Sequence, residues 1–255
     1  MRRAGRVHAL YAAAMIRPAL FIDDGGVMNE NARRGRQWQS LVGEYFSPRL
    51  GGAPEAWAAA NAQVVHRLFA EYETHFDADP GASFEKYWVT YQHAWLSGMC
   101  AAVGVALPAD RATWSCLCRD CESFVTRRVR AACPGVVQEV RRLHAVGYVL
   151  RTASGERSWE LEGYLTGKGV PDCFVDLYGV DLVDTAKASR LFYERIFIHA
   201  GVAPEDALVV DDSERALDWA ADLGAHTVLC RPEAPTHSSR HLHVRRLADL
   251  SRVLK

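Results

Sequence analysis

Two pairs of aspartates stand out because of what precedes them. Asp23-Asp24 follows the short apolar run Ala19-Leu20-Phe21-Ile22, and Asp211-Asp212 follows Ala207-Leu208-Val209-Val210. A carboxylate at the carboxyl end of a buried parallel strand lies where open α/β sheets bind their ligands. Such a group can attack phosphorus and form an aspartyl-phosphate. Paired aspartates offer hard oxygen ligands that suit magnesium, which neutralises an incoming phosphate. Two further groups complete the chemistry. Lys187 can supply fixed positive charge to a developing transition state. Thr152, after Tyr148-Val149-Leu150-Arg151, can donate its hydroxyl to a phosphoryl oxygen. Each piece alone is weak, since an Asp-Asp pair is usually a solvated turn and a lone lysine is usually surface. Asp24-Gly25 could also be a hairpin turn. That reading needs a second strand, and Asn29 to Arg36 is polar and charged with no alternation.

The elements that must position these groups follow from periodicity. Strands are expected at 19–22, 148–151, 174–178, 207–210 and 227–230, each a short apolar run bounded by turn residues. Helices are expected at 134–143, 158–166, 188–200 and 215–223, several closed by glycine. Strands alternating with helices predict α/β, a Rossmann-like doubly wound parallel sheet. Between the first strand and the rest, residues 30–132 carry helical periodicity and no strand signal. Trp38, Leu41, Val42, Tyr45 and Phe46 share one helical face, and Pro48, Gly51, Gly52 and Pro54 are expected to break that helix. Further helices are expected at 55–76, 84–103 and 109–132. The layout is therefore a core of residues 16–30 and 133–255 with an inserted all-helical cap at 31–132. In the parallel sheet Asp23, Thr152, Lys187 and Asp211-Asp212 can converge on one pocket.

The ordered set resembles the haloacid dehalogenase-like hydrolase superfamily. The matching stretches are Leu20 to Val27, Tyr148 to Ser154, Thr185 to Ala188 and Ala207 to Ser213. The resemblance implies a Rossmann-like core with a helical cap whose closure shapes the substrate site. It implies Asp23 as nucleophile, Thr152 and Ala153 as phosphate-binding, and Lys187 as the group that orients and screens the phosphate. It also implies Mg2+ held by Asp23, the main-chain carbonyl of Gly25, Asp211 and Asp212. One departure matters. The phosphatase pattern is Asp-x-Asp-Gly, with the second Asp as general acid/base, and Gly25 stands in that position here. Asp24 is one residue early and on a regular strand points the other way. Losing a positioned acid costs about 10²–10⁴ in rate. A good leaving group, an acid from the cap, or slow turnover would accommodate the loss.

The expected activity is therefore magnesium-dependent phosphomonoester hydrolysis of small phosphorylated metabolites. A 2-haloacid-type dehalogenase is the alternative enzyme, but a metal pair such as Asp211-Asp212 has no use in that chemistry. A phosphate-ligand-binding domain without turnover is the alternative outside enzymes. In the cap, Arg33, Arg34 and Arg36 are candidates for an anionic group, with a solvated basic run as the default. Trp38, His66, Tyr91, His93 and Trp95 are pocket candidates, with core packing as the default.

Composition restricts the rest. Net charge is −1, so nothing points to a nucleic-acid or membrane surface. The seven cysteines form no regular framework, which fits a reduced, cytoplasmic compartment. Cys116, Cys118 and Cys121 could approach zinc, but no fourth ligand is paired with them, so scattered thiols are expected. Residues 1–15, basic and then Ala-rich, are set aside as a leader or as residues ahead of a later start at Met15.

Overall fold

The computed structural model describes residues 17–235 and 238–254. The N-terminal extension lies outside the described residues. Six parallel strands form one sheet: β1 (Ala19–Ile22), β2 (Leu150–Ala153), β3 (Phe174–Tyr178), β4 (Ala207–Asp211), β5 (His226–Cys230) and β6 (Leu242–Val244). Their spatial order is β3-β2-β1-β4-β5-β6. The connections leave β1 in opposite directions, so the switch point falls between β1 and β4, where Asp23 and Asp211 stand. β6 carries only three residues and was not expected from periodicity.

Alternation within β1 builds two cores. Phe21 packs on one face with Tyr178, Phe192, Phe197 and Val209. Leu20 and Ile22 pack on the other with Val140, Leu150, Leu208 and Val228. All three are fully buried, so truncating one to alanine costs about 2–5 kcal/mol.

The insertion after β1 carries four helices: α1 (Asn31–Leu50), α2 (Pro54–Ala78), α3 (Phe84–Val103) and α4 (Arg111–Thr126). The Glu30 carboxylate starts α1 by accepting from Ala32 N and Arg33 N, and Ser83 and Asp110 do the same for α3 and α4. Pro48 sits inside the last turns of α1 rather than ending it; the break comes at Gly51, with φ +84°. These helices share a third core around Phe46, Trp57, Trp95, Leu96, Cys118 and Cys121. The insertion closes on itself where it meets the sheet. Glu30 N donates to Ala131 O and Cys133 N to Met28 O, so the entering and leaving strands of chain pair side by side. α4 accordingly stops at Thr126, short of the expected end at 132, because the chain must turn back to make that pairing.

The remaining helices are α5 (Val136–Ala145), α6 (Ser158–Lys168), α7 (Arg190–Ala200) and α8 (Glu214–Asp222). β2 begins two residues later than periodicity suggests. Tyr148 N donates to Leu143 O and still closes α5, and pairing with β1 starts where Leu20 N donates to Val149 O. Asp184, at φ +44°, precedes Lys187; its carboxylate accepts from Ser83 Oγ and Glu85 N, tying that loop to the start of α3.

Candidate active site

Asp23 is the first residue after β1, and its N–H extends the ladder by donating to Val210 O (2.9 Å). The carboxylate is almost buried and lies between a lysine and a serine. Lys187 Nζ is 2.9 Å from Asp23 Oδ1, 2.6 Å from Asp211 Oδ2 and 3.1 Å from the Ala153 carbonyl. Each of its three hydrogens therefore has an acceptor. Burial raises the Asp23 carboxyl well above its ordinary range, and Asp211 and Glu156 push the same way against Lys187 and Ser154. Burial opposes the Lys187 charge, but Asp211 and Asp23 outweigh it and hold the ammonium on.

Asp211 ends β4 with its carboxylate accepting from Tyr193 OH (3.1 Å) and Ser213 N (2.9 Å). Asp212 turns toward the loop after β1. A Cβ on Gly26 would stand 1.8 Å from Asp212 Oδ2, and Gly26 has φ +74°, so this position requires glycine twice over. Asp23, Asp211 and Asp212 each present a carboxylate oxygen within 4.8 Å of the others. Three hard oxygens at that spacing, with a carbonyl-bearing glycine loop beside them, fit an octahedral divalent cation such as Mg2+. Among the described residues no other His, Cys, Asp or Glu group meets the same criterion, and the thiols of Cys116, Cys118 and Cys121 are free.

The structure places Thr152 and Ser154 differently with respect to Asp23. Thr152 pairs with Ile22 in the β1–β2 register. It is fully buried and its hydroxyl donates to Tyr178 O (3.2 Å), away from Asp23. Ser154, two residues on, donates to Asp23 Oδ1 (2.6 Å). By position it is Ser154, and not Thr152, that meets Asp23. The later start of β2 is the reason, since it moves the strand end along the chain. Ala153 contributes its carbonyl to Lys187.

Asp24 does point away. It is fully buried, with Asn29 Nδ2 donating to both its oxygens (3.0 and 2.8 Å), Arg34 at 3.1 Å and Lys168 at 3.4 Å. Arg34 also pairs with Glu156, whose other oxygen stands 2.5 Å from Ser154 Oγ, so that Asp23 and Glu156 share the one hydroxyl hydrogen. Burial alone would raise the Glu156 carboxyl, but Arg34 and Ser154 outweigh it and bring it down to about 2. Over Gly25, a Cβ would meet Arg34 Nη2 at 3.0 Å and Asn31 Oδ1 at 3.1 Å. The space a side chain at this position would take is held by a guanidinium from α1.

A cavity of about 850 Å3 runs from Asp23 into the helices, bordered by Arg34, Trp38, His66, Tyr91 and Trp95. His93 is not on it and meets Trp114 edge-on (5.2 Å). Arg33 and Arg36 are exposed. The charged side of the cavity is a buried cluster in which Arg157 pairs with Glu122 (3.1 Å) and Glu160 (2.5 Å). Ser154, Glu156, Tyr193 and this cluster carry no recognisable spacing, and sequence reasoning missed them.

No protein-family model matches the sequence, and no curated protein does. Solved structures match over nearly the whole chain. The defluorinating L-2-haloacid dehalogenase Rha0230 is 17% identical, with 94% of this chain and 95% of that one covered at a TM-score of 0.64. The L-2-haloacid dehalogenase from Xanthobacter autotrophicus with chloropropionic acid covalently bound is 14% identical, with 94% and 98% covered at 0.58. YfnB from Bacillus subtilis, described as a HAD-hydrolase and bound to magnesium, is 15% identical, with 94% and 99% covered at 0.62. At such identities the likeness is one of architecture.

Proposed function

The chain has a haloacid dehalogenase-like fold, and on that premise we propose that it is a magnesium-dependent phosphomonoester hydrolase working through an aspartyl-phosphate on Asp23. The observation that carries this reading is the trio Asp23, Asp211 and Asp212, within 4.8 Å of one another, with Lys187 bridging Asp23 and Asp211. Asp23, Asp211, Asp212 and the Gly25 carbonyl would hold Mg2+, which when bound neutralises phosphate charge beside the nucleophile. The magnesium-bound neighbour YfnB agrees with that assignment.

The protein's own groups have separate tasks. Asp23 Oδ attacks phosphorus, because its strand end points into the cavity. Lys187 keeps Asp23 ionised at the moment of attack and lends positive charge to the phosphoryl oxygens. Ser154 Oγ turns from Asp23 to a phosphoryl oxygen. Tyr193 holds Asp211 in place.

Purified protein should release phosphate from 4-nitrophenyl phosphate with Mg2+ and not in chelator, and Asp23→Asn should abolish release. Magnesium titration by calorimetry, with Asp212→Asn as the comparison, tests the metal site apart from turnover. A second reading, a hydrolytic dehalogenase, draws on Arg34 over Gly25. A departing halide needs no proton, and dehalogenases stand among the structural neighbours. Halide release from 2-chloropropionate in chelator would put that reading first. Binding of a phosphate ester with no turnover would favour a binding domain. Seven free cysteines fit a reducing cytoplasm, and no helix among the described residues is long and apolar enough to cross a membrane.

A further inference from the structure

We propose that the substrate is a phosphate ester of a planar, acidic hydroxyl, a phenol or an enol, rather than of an alkyl alcohol; this rests on the phosphatase reading above. Two independent observations lead there. The first is that no acid stands over Gly25, where the phosphatase pattern has one.

Among the described residues, those bonded to the Asp23 carboxylate or standing over Gly25 are Ser154, Lys187, Arg34 and Asn31. The Lys187 hydrogens go to Asp23, Asp211 and the Ala153 carbonyl. A guanidinium does not release a proton in proteins, and a carboxamide or serine hydroxyl is no acid. Glu156 lies next in the network, but one of its oxygens accepts from Arg34 and the other shares the Ser154 hydroxyl with Asp23. Asp24 is sealed under Asn29, Arg34 and Lys168. What stands over Gly25 is therefore a fixed positive charge in place of an acid. It stabilises a leaving oxyanion and cannot protonate one.

The step balances without an acid. As Asp23 Oδ bonds to phosphorus, the ester P–O bond breaks and its electron pair leaves on the phenolate or enolate oxygen. Water then attacks the phosphorus, the aspartyl P–O bond breaks, and the carboxylate is restored. The water's oxygen and both of its hydrogens leave with the phosphate as dihydrogen phosphate.

The second observation is the wall of the cavity. Phe84, Trp88 and Tyr91 on α3 lie ring over ring, Phe84–Trp88 at 5.8 Å and 12° and Trp88–Tyr91 at 4.8 Å and 20°. All three border the same cavity as Asp23. The Arg157 guanidinium lies 3.3 Å from the centre of the Trp88 ring and fixes its plane. An aromatic wall beside a site with no acid over Gly25 suits a flat leaving group.

The test is a series of monoesters on the full chain with Mg2+: 4-nitrophenyl, phenyl, benzyl and glycerol phosphate. Benzyl phosphate is the decisive member, being aromatic with an alkyl leaving group. Its kcat/KM is expected to lie about 10²–10⁴-fold below that of the 4-nitrophenyl ester, the factor a positioned acid would otherwise supply. It should nevertheless inhibit competitively, with glycerol phosphate a far weaker inhibitor. Trp88→Leu should raise KM for the aryl esters and leave the dependence on leaving group unchanged. Benzyl or glycerol phosphate turning over within about tenfold of the 4-nitrophenyl ester would mean that an acid is present and overturns the inference alone. Failure of benzyl phosphate to inhibit overturns its aromatic half. Silence on every ester, the 4-nitrophenyl one included, overturns the phosphatase reading and the inference together.

Discussion

Asp23 and Asp24 are covalent neighbours in opposite surroundings. Asp23 faces Lys187, Ser154 and the cavity, while Asp24 is sealed among Asn29, Arg34 and Lys168. The strand pleat makes the division, since successive side chains leave opposite faces. Thr152 and Ser154, two residues apart, share a face by the same alternation, and it is Ser154, just past the end of β2, that reaches Asp23. Ser154→Ala should lower kcat/KM about 10²-fold, as expected for loss of a donor to the reacting group. Thr152→Val should leave the rate nearly unchanged and cost about 0.5–1.5 kcal/mol of stability in denaturant titration. The cost is small because Tyr178 O still accepts from Ser154 N. A loss of activity confined to Thr152→Val would return the phosphate-binding role to Thr152.

At the scale of elements, the helical insertion is joined to the sheet by ion pairs with opposite pH behaviour. Arg34 on α1 meets Glu156 after β2, with the Glu156 carboxyl lowered to about 2. Its stabilisation is present above the ordinary carboxylate value of 4.5 and is lost as pH falls through about 2. Glu122 on α4 and Glu160 on α6 share Arg157. Burial raises the Glu160 carboxyl to about 7 against the pull of Arg157. Its contribution is complete below about 4.5 and is lost as pH rises through about 7. Thermal melting of Glu156→Gln should therefore lose the acid limb of the wild-type profile, and Glu160→Gln the decline between pH 5 and 8. Unchanged profiles in both variants would mean that these carboxylates do not couple to folding.

At the scale of the molecule, the three carboxylates at the switch point repel one another and need positive charge. Lys187 supplies part of it, and burial with Asp211 alongside raises the Asp212 carboxyl. A bound cation should stabilise the whole fold by about 2.7 kcal/mol at a hundredfold excess over its Kd. Melting temperature should rise with Mg2+ and fall back in chelator. Asp212→Asn should remove the response, and a response that survives in that variant would place the cation elsewhere. Because β1, β2 and β4 meet at this site, the gain should appear in sheet and cap signals together.

The chain's own order of residues determined the sheet, the inserted helices and the places of Asp23, Lys187 and Asp211-Asp212. Those features are written in local patterns: apolar runs of four or five residues, helical periodicity, and carboxylates directly after a strand. Ser154, Glu156 and Tyr193 could not be found that way, and Arg34 could be named only among three basic candidates. Ser154 meets Asp23 131 residues away, Glu156 meets Arg34 122 away and Tyr193 meets Asp211 18 away, and these contacts depend on register and on where α1 crosses the strand ends. Gly25 combines both kinds of information. Its missing carboxylate is legible in the sequence. That an arginine from the first inserted helix stands over it was decided by tertiary structure, because a side chain's environment is set by what packs against it and not by its neighbours along the chain.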